Sequence, residues 1–243
     1  MPETHLIDTF LRKLELRDTL TVAEREALAA CAESESDYPA GADLVREGDR
    51  PLESMLVTRG FTTRYRDSAD GNRQIGAIHV PGDFVDLQSL ILKHMDHSVG
   101  ALSDCHVVKF PHSRLTALTR EHPHLTRLLW LMTLIDSSIH REWLFAAGRG
   151  APEQLSHLIC ELYVRLAVTD LVVDQRFNLP MTQVELGEAL GLSAVHVNRT
   201  LQQLRSEDLF TWQGQEVRIL DWDGLRRRAQ FDPTYLHLVS EPR

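Results

Sequence analysis

Four side chains in the stretch MTQVELGEALGLSAVHVNRTLQQLRSEDLF, residues 181–210, have types and a spacing that could do chemistry. Val195, Asn198, Arg199 and Gln202 stand at i, i+3, i+4 and i+7, which gathers them on one face of a helix. An arginine so placed can grip guanine O6 and N7 with two hydrogen bonds. An asparagine can do the same to adenine, and a valine can touch a thymine methyl. Thr182, Ser193 and His196 fall near two helix starts, where hydroxyls and free backbone N–H groups suit phosphate oxygens. The chemistry on offer is recognition of duplex DNA.

The surrounding residues must hold that face in place. Thr182 and Glu185 form a T-x-x-E capping box, which starts a helix at Thr182. Leu186, Ala189 and Leu190 are its inward side, and Gly187 is expected to let a neighbouring helix come close. Gly191 can take the left-handed backbone that ends the helix, Leu192 plugs the turn, and Ser193 is the N-cap of the next helix. In that second helix Val197, Leu201 and Leu204 point to the core. Two helices about a short turn containing glycine are a helix-turn-helix. LFTWQGQEVRIL, residues 209–220, then reads as two strands around Gly214, so the winged form is expected.

Upstream the chain has other textures. Residues 6–32 read as two short helices, the second opened by a capping box of Thr21 and Glu24. From Ser34 to about Phe110, short apolar runs alternate with Gly41, Gly48, Gly60, Gly71 and Gly82. ESMLVTRG, FTTRYRD and QIGAIHV fit half-buried strands, and ADGN fits a hairpin turn. This predicts a small barrel or roll of antiparallel strands.

A long helix is expected over about residues 123–148. Leu125, Leu128, Met132, Ile135 and Ile139 follow the 3-4 spacing of a coiled-coil seam, while Leu129, Leu131, Leu134, Trp143 and Leu144 widen the apolar surface. A helix apolar on more than one side must be covered on more than one side. One face is expected to meet the roll and the seam a second copy of the chain. AGRGAP at 147–152 breaks the pattern, giving a sensor-like domain at 1–149 and a DNA-binding domain at 150–243. The expected fold class is α+β: an N-terminal jelly roll with a dimerisation helix, then a winged helix-turn-helix.

Composition narrows the function. The formal net charge of −9 argues against a protein that coats nucleic acid through bulk positive charge, but a sequence reader depends on its local surface. No apolar run approaches the roughly 20 residues needed to cross a bilayer, so a soluble cytoplasmic protein is expected. Cys31, Cys105 and Cys160 make no CxxC pair and no zinc spacing, and are expected to be reduced and buried. His94 with His97, and His122 with His124, read as surface histidines, because two imidazoles do not complete a metal site. There is no phosphate loop, nucleophile elbow or HExxH motif. No catalytic residue, metal or cofactor is assigned, and an enzyme is not expected.

The chain, from about Phe10 to Phe231, resembles the Crp/Fnr family of bacterial transcription regulators. The residues that carry the likeness are YPAGADLVREGDRPLESMLVTRGFTTRYRDSADGNRQIGAIHVPGDF, the long helix, and LPMTQVELGEALGLSAVHVNRTLQQLR. The resemblance implies a cyclic-nucleotide-binding-type roll, a homodimer joined along the long helix, a palindromic promoter site, and RNA polymerase as a partner. Members that bind cyclic AMP carry Gly-Glu after the GDF strand and Arg-Ser or Arg-Thr about ten residues on. Here Asp86 and Leu87 replace the first pair, and His97 and Ser98 the second. Leu87 cannot accept from a ribose hydroxyl, Asp86 would repel a phosphate, and His97 is a poor substitute for a guanidinium. Oxygen sensors of the family hold an iron–sulfur cluster on clustered N-terminal cysteines, and only Cys31 lies in that region.

The expectation is therefore a dimeric, sequence-specific transcription regulator that does not use cyclic AMP, with no cofactor and an unknown effector. Two alternatives stand beside it. One is the same fold gated by a cyclic nucleotide or another small ligand. The other is a ligand-binding module whose C-terminal domain contacts protein rather than DNA.

Overall fold

The computed structural model describes residues 4–242. A 3-10 turn at Thr4–Ile7 leads into helices α1 (Asp8–Glu15) and α2 (Val22–Cys31). The Thr21 hydroxyl accepts the Glu24 N–H while the Glu24 carboxylate takes the Thr21 N–H, so the capping box forms as its spacing predicts.

The roll follows: β1 (Ser34–Tyr38), β2 (Asp43–Val45), β3 (Glu53–Arg59), β4 (Thr62–Asp67), β5 (Arg73–His79), a one-turn helix α3 (Ser89–Leu92), β6 (Ser98–Ala101) and β7 (Cys105–Pro111). These strands form two sheets, ordered β1-β7-β3 and β2-β6-β4-β5. Pairing within them is antiparallel, with Ser34 opposite Lys109, Leu56 opposite Val108 and Arg64 opposite Val99. Val45, Met55, Val57, Val85, Met95, Val99 and Val107 make one apolar cluster. A second cluster joins Phe10, Leu14, Leu28, Leu56, Phe110, Leu125 and Leu128. The Phe84 ring meets those of Phe10 and Phe110 edge-on at 5.1 and 5.0 Å.

Helix α4 (His112–Glu121) leads to α5 (Pro123–Ala147). The predicted seam on α5 is corrected by burial. Leu125, Leu128, Ile135 and Ile139 are buried by their own chain, and Met132 packs partly against the second cluster. The uncovered apolar residues are Trp130, Leu134, Leu144 and Phe145, exposed by 65, 48, 75 and 67%. α5 is apolar on two sides, and its own chain covers the side with the regular 3-4 spacing while Trp130, Leu134, Leu144 and Phe145 lie on the other.

Past the turn at residues 148–150 come α6 (Ala151–Ala167), β8 (Arg176–Asn178), α7 (Gln183–Leu190), α8 (Ala194–Ser206), β9 (Phe210–Gln213), β10 (Glu216–Ile219) and α9 (Trp222–Ala229). A 3-10 turn spans Pro233–Leu236. The three short strands form an antiparallel sheet ordered β8-β10-β9. Contacts divide the chain into two compact units. Of the described residues, one holds 4–66, 78–137 and 237–242, and the other holds 67–77 and 138–236. This parts α5 between Ser137 and Ser138, whereas sequence composition breaks only at AGRGAP. The second unit has a buried polar centre. Glu161 accepts from the Trp143 indole at 3.0 Å, the Tyr235 hydroxyl at 2.9 Å and the Arg165 guanidinium at 2.9 Å. Three donors account for the burial of a carboxylate with no exposed surface.

Candidate nucleic-acid interface

The interface is built on α7 and α8. The Thr182 hydroxyl accepts the Glu185 N–H, and the Glu185 carboxylate accepts the Thr182 N–H at 2.7 Å, closing the second capping box. Gly191 ends α7 with φ +67°, a left-handed conformation that glycine adopts without a Cβ clash. Ser193 caps α8 by accepting the His196 N–H. Gly187 has a role different from the expected one. A Cβ there would run into the Leu192 carbonyl oxygen, so the close neighbour is the turn between the helices, not a second helix. The Leu192 N–H donates to the Gly187 carbonyl at 2.9 Å, which draws the turn in.

Val197, Leu201 and Leu204 are buried along one side of α8. On the other side Val195 is 81% exposed, Arg199 and Gln202 are exposed, and Asn198 is half-buried. Thr182 and Ser193 are exposed and His196 half-buried. The Thr182 hydroxyl also donates to the Glu185 carboxylate at 2.8 Å, so its proton is committed to the cap. Sequence reasoning missed Gln183. It is the first residue of α7 and accepts from Asn198 across 15 positions, a tertiary contact with no local signal.

The neighbouring arginines differ in their freedom. Arg205 donates to the Trp212 carbonyl at 2.7 Å, which ties the end of α8 to the β9–β10 hairpin. Arg228 is paired with Glu153 and Glu207. Arg199, Arg218, Arg226 and Arg227 are exposed.

In the roll, the residues standing at the expected effector contacts serve the protein itself. Asp86 is fully buried and accepts the Met55 N–H at 2.7 Å. Burial raises its pKa to about 7. Leu87 belongs to the second apolar cluster. The Ser98 hydroxyl accepts the Glu47 N–H at 3.0 Å. His97 is buried, which corrects its reading as a surface residue. Its Nδ1 lies 2.6 Å from an Asp96 oxygen, and burial followed by the nearby Arg64 charge lowers its pKa. His124 is half-buried and held by Glu24 at 2.6 Å and Asp18 at 3.2 Å. With a carboxylate at each ring nitrogen, its pKa is raised, first by the Glu24 hydrogen bond. Arg64 on β4 pairs with Asp136 on α5 at 3.0 Å, a link the sequence did not show.

Among the described residues no helix is long and apolar enough to cross a membrane, and no group of three or more His, Cys, Asp or Glu is arranged to hold a metal ion. The three cysteines are free and buried.

Comparison with known proteins places these features in a wider set. Residues 153–228 match the Crp-like helix-turn-helix domain, and residues 35–122 match the cyclic nucleotide-binding domain. The chain is 28% identical over 223 residues to the transcriptional activator protein Anr of Pseudomonas aeruginosa, covering 91% of each chain. It is 27% identical over 224 residues to the transcriptional activator protein FnrA of Stutzerimonas stutzeri, covering 92% of this chain and 91% of that one. The structure of FixK2 from Bradyrhizobium japonicum shares the fold, with a TM-score of 0.70 and 24% identity over 81% of this chain and 96% of that one.

Proposed function

The chain belongs to the Crp/Fnr family of transcription regulators and is a DNA-binding regulator of that type, and from that premise we propose how it meets its site. Two copies pair along α5 through Trp130, Leu134, Leu144 and Phe145. Residues 150–243 act as the DNA-binding domain of each copy, and α8 enters the major groove. In a palindromic site two such helices meet successive grooves about 34 Å apart. Arg199 takes guanine O6 and N7, Asn198 takes adenine, Val195 meets a thymine methyl and Gln202 reaches the same edge. Ser193, His196 and the start of α7 at Thr182 lie along the phosphates.

The observation that carries this reading is the pairing of Val195, 81% exposed, with exposed Arg199 on a helix whose opposite side is buried. A large apolar side chain held in water beside a free guanidinium is what a thymine-methyl and guanine contact requires. Arg199→Ala should weaken specific binding by about 1–3 kcal/mol in a gel-shift titration, with nonspecific binding falling less. Unchanged operator affinity would overturn the groove assignment.

The regulator works without cyclic AMP. In support, Asp86 and Leu87 are committed to the protein's own backbone and core. Calorimetry with cyclic AMP and cyclic GMP should show no saturable heat. Tight binding would favour the alternative of a nucleotide-gated regulator. The relatives' names point to activation, so RNA polymerase is the proposed protein partner and the cytoplasm the place of action.

A further inference from the structure

We propose that Gln183, on the first helix of the motif, is a specificity-positioning residue that fixes the amide orientation in which Asn198 reads its base. The proposal rests on the reading of α8 as the DNA-contacting helix and goes one step beyond it.

A primary carboxamide has two N–H donors and an oxygen with two lone pairs. Asn198 spends half of this capacity inside the protein. Its Nδ2 donates to Gln183 Oε1 at 3.2 Å, and its Oδ1 accepts from Gln202 Nε2 at 3.0 Å. One donor and one lone pair remain. That is the complement of the adenine major-groove edge, where N7 accepts and the N6 amino group donates.

A free asparagine can turn its amide over and present oxygen and nitrogen in exchanged places. Here such a flip would set the Asn198 oxygen against the Gln183 oxygen and its amino group against that of Gln202. It breaks both bonds unless the two glutamines turn over with it. The two helices thus act as one reading unit: α8 carries the asparagine, and α7 supplies the acceptor that sets its sense. Gln183 is exposed at the first position of its helix and takes no part in the apolar core, so its replacement leaves the fold's buried contacts untouched.

The test is selection of bound sequences from random duplexes with the same chain, in five forms: parent, Arg199→Ala, Asn198→Ala, Gln183→Ala and Gln183→Glu. Asn198→Ala marks the half-site position that the asparagine reads. Gln183→Ala should lower the preference for adenine at that one position by about tenfold, leaving the guanine position lost in Arg199→Ala at full strength. Gln183→Glu keeps an oxygen for the Asn198 amide, so it should retain the adenine preference while binding all sequences more weakly through its added charge.

A Gln183→Ala profile identical to the parent's would overturn the proposal. So would a loss spread evenly over all positions, which would make Gln183 a phosphate contact or a purely structural residue. A parent that enriches no sequence would instead defeat the underlying DNA reading, a separate and distinguishable result. Circular dichroism of each variant checks that the helices are retained.

Discussion

The Asp86 carboxylate accepts the Met55 N–H at 2.7 Å, and the residue has no exposed surface. Where relatives that bind cyclic AMP are expected to place effector contacts, this chain has an internal tie between the segment after β5 and strand β3. The tie has a pH signature. Asp86 is protonated up to about pH 7 in the folded state, while an unfolded aspartate titrates at about 4. Between these values the folded chain holds a proton that the unfolded chain has lost. Its stability should therefore fall as pH rises from about 4 to about 7 and change no further from this source above that. Asp86→Asn keeps an oxygen for the Met55 N–H and removes the titration. At pH 8 it should be more stable than the parent by up to about 4 kcal/mol, with little difference at pH 4. Urea unfolding at the two pH values measures this. An unchanged pH slope would show that Asp86 is not the source.

Gly187 makes a sharper demand on the turn. Because a Cβ there would meet the Leu192 carbonyl oxygen, Gly187→Ala must displace the turn between α7 and α8. A loss of about 1–3 kcal/mol is expected, seen as a lower Tm for the helix-turn-helix unit. A variant with the parent's Tm would contradict the close approach.

The exposed stripe of α5 predicts the assembly. Leu134→Glu puts a charge in the middle of the proposed contact, while Leu134 is 48% exposed in the single chain. Sedimentation is therefore expected to give a dimer for the parent and a folded monomer for this variant. A dimer of unchanged affinity would place the contact elsewhere.

These residues also show what a sequence makes legible. The capping boxes at Thr21 and Thr182, the left-handed Gly191 and the Ser193 cap depend on neighbours within a few positions, so their patterns are local and readable. The buried side of α8 follows from helical spacing alone. The long helix was legible as an element, but it is apolar on two sides, and only packing shows that Leu125 and Leu128 turn inward while Trp130 and Leu134 do not. The effector-site departures at Asp86 and Leu87 were visible as residue types. Their new partners, the Met55 amide and the apolar cluster around Phe10, lie far away in the chain. Gln183 was invisible for the same reason, since its bond to Asn198 exists only once the turn has folded.

In the proposed reading, α8 of a paired chain meets duplex DNA through Arg199 and its neighbours. Selection from random duplexes by the 243-residue chain puts this to the test. The expected result is an enriched palindrome whose half-sites lie one helical turn apart, with a guanine in each half-site that Arg199→Ala no longer requires. A pool that stays random, or an enriched site without twofold symmetry, would contradict it.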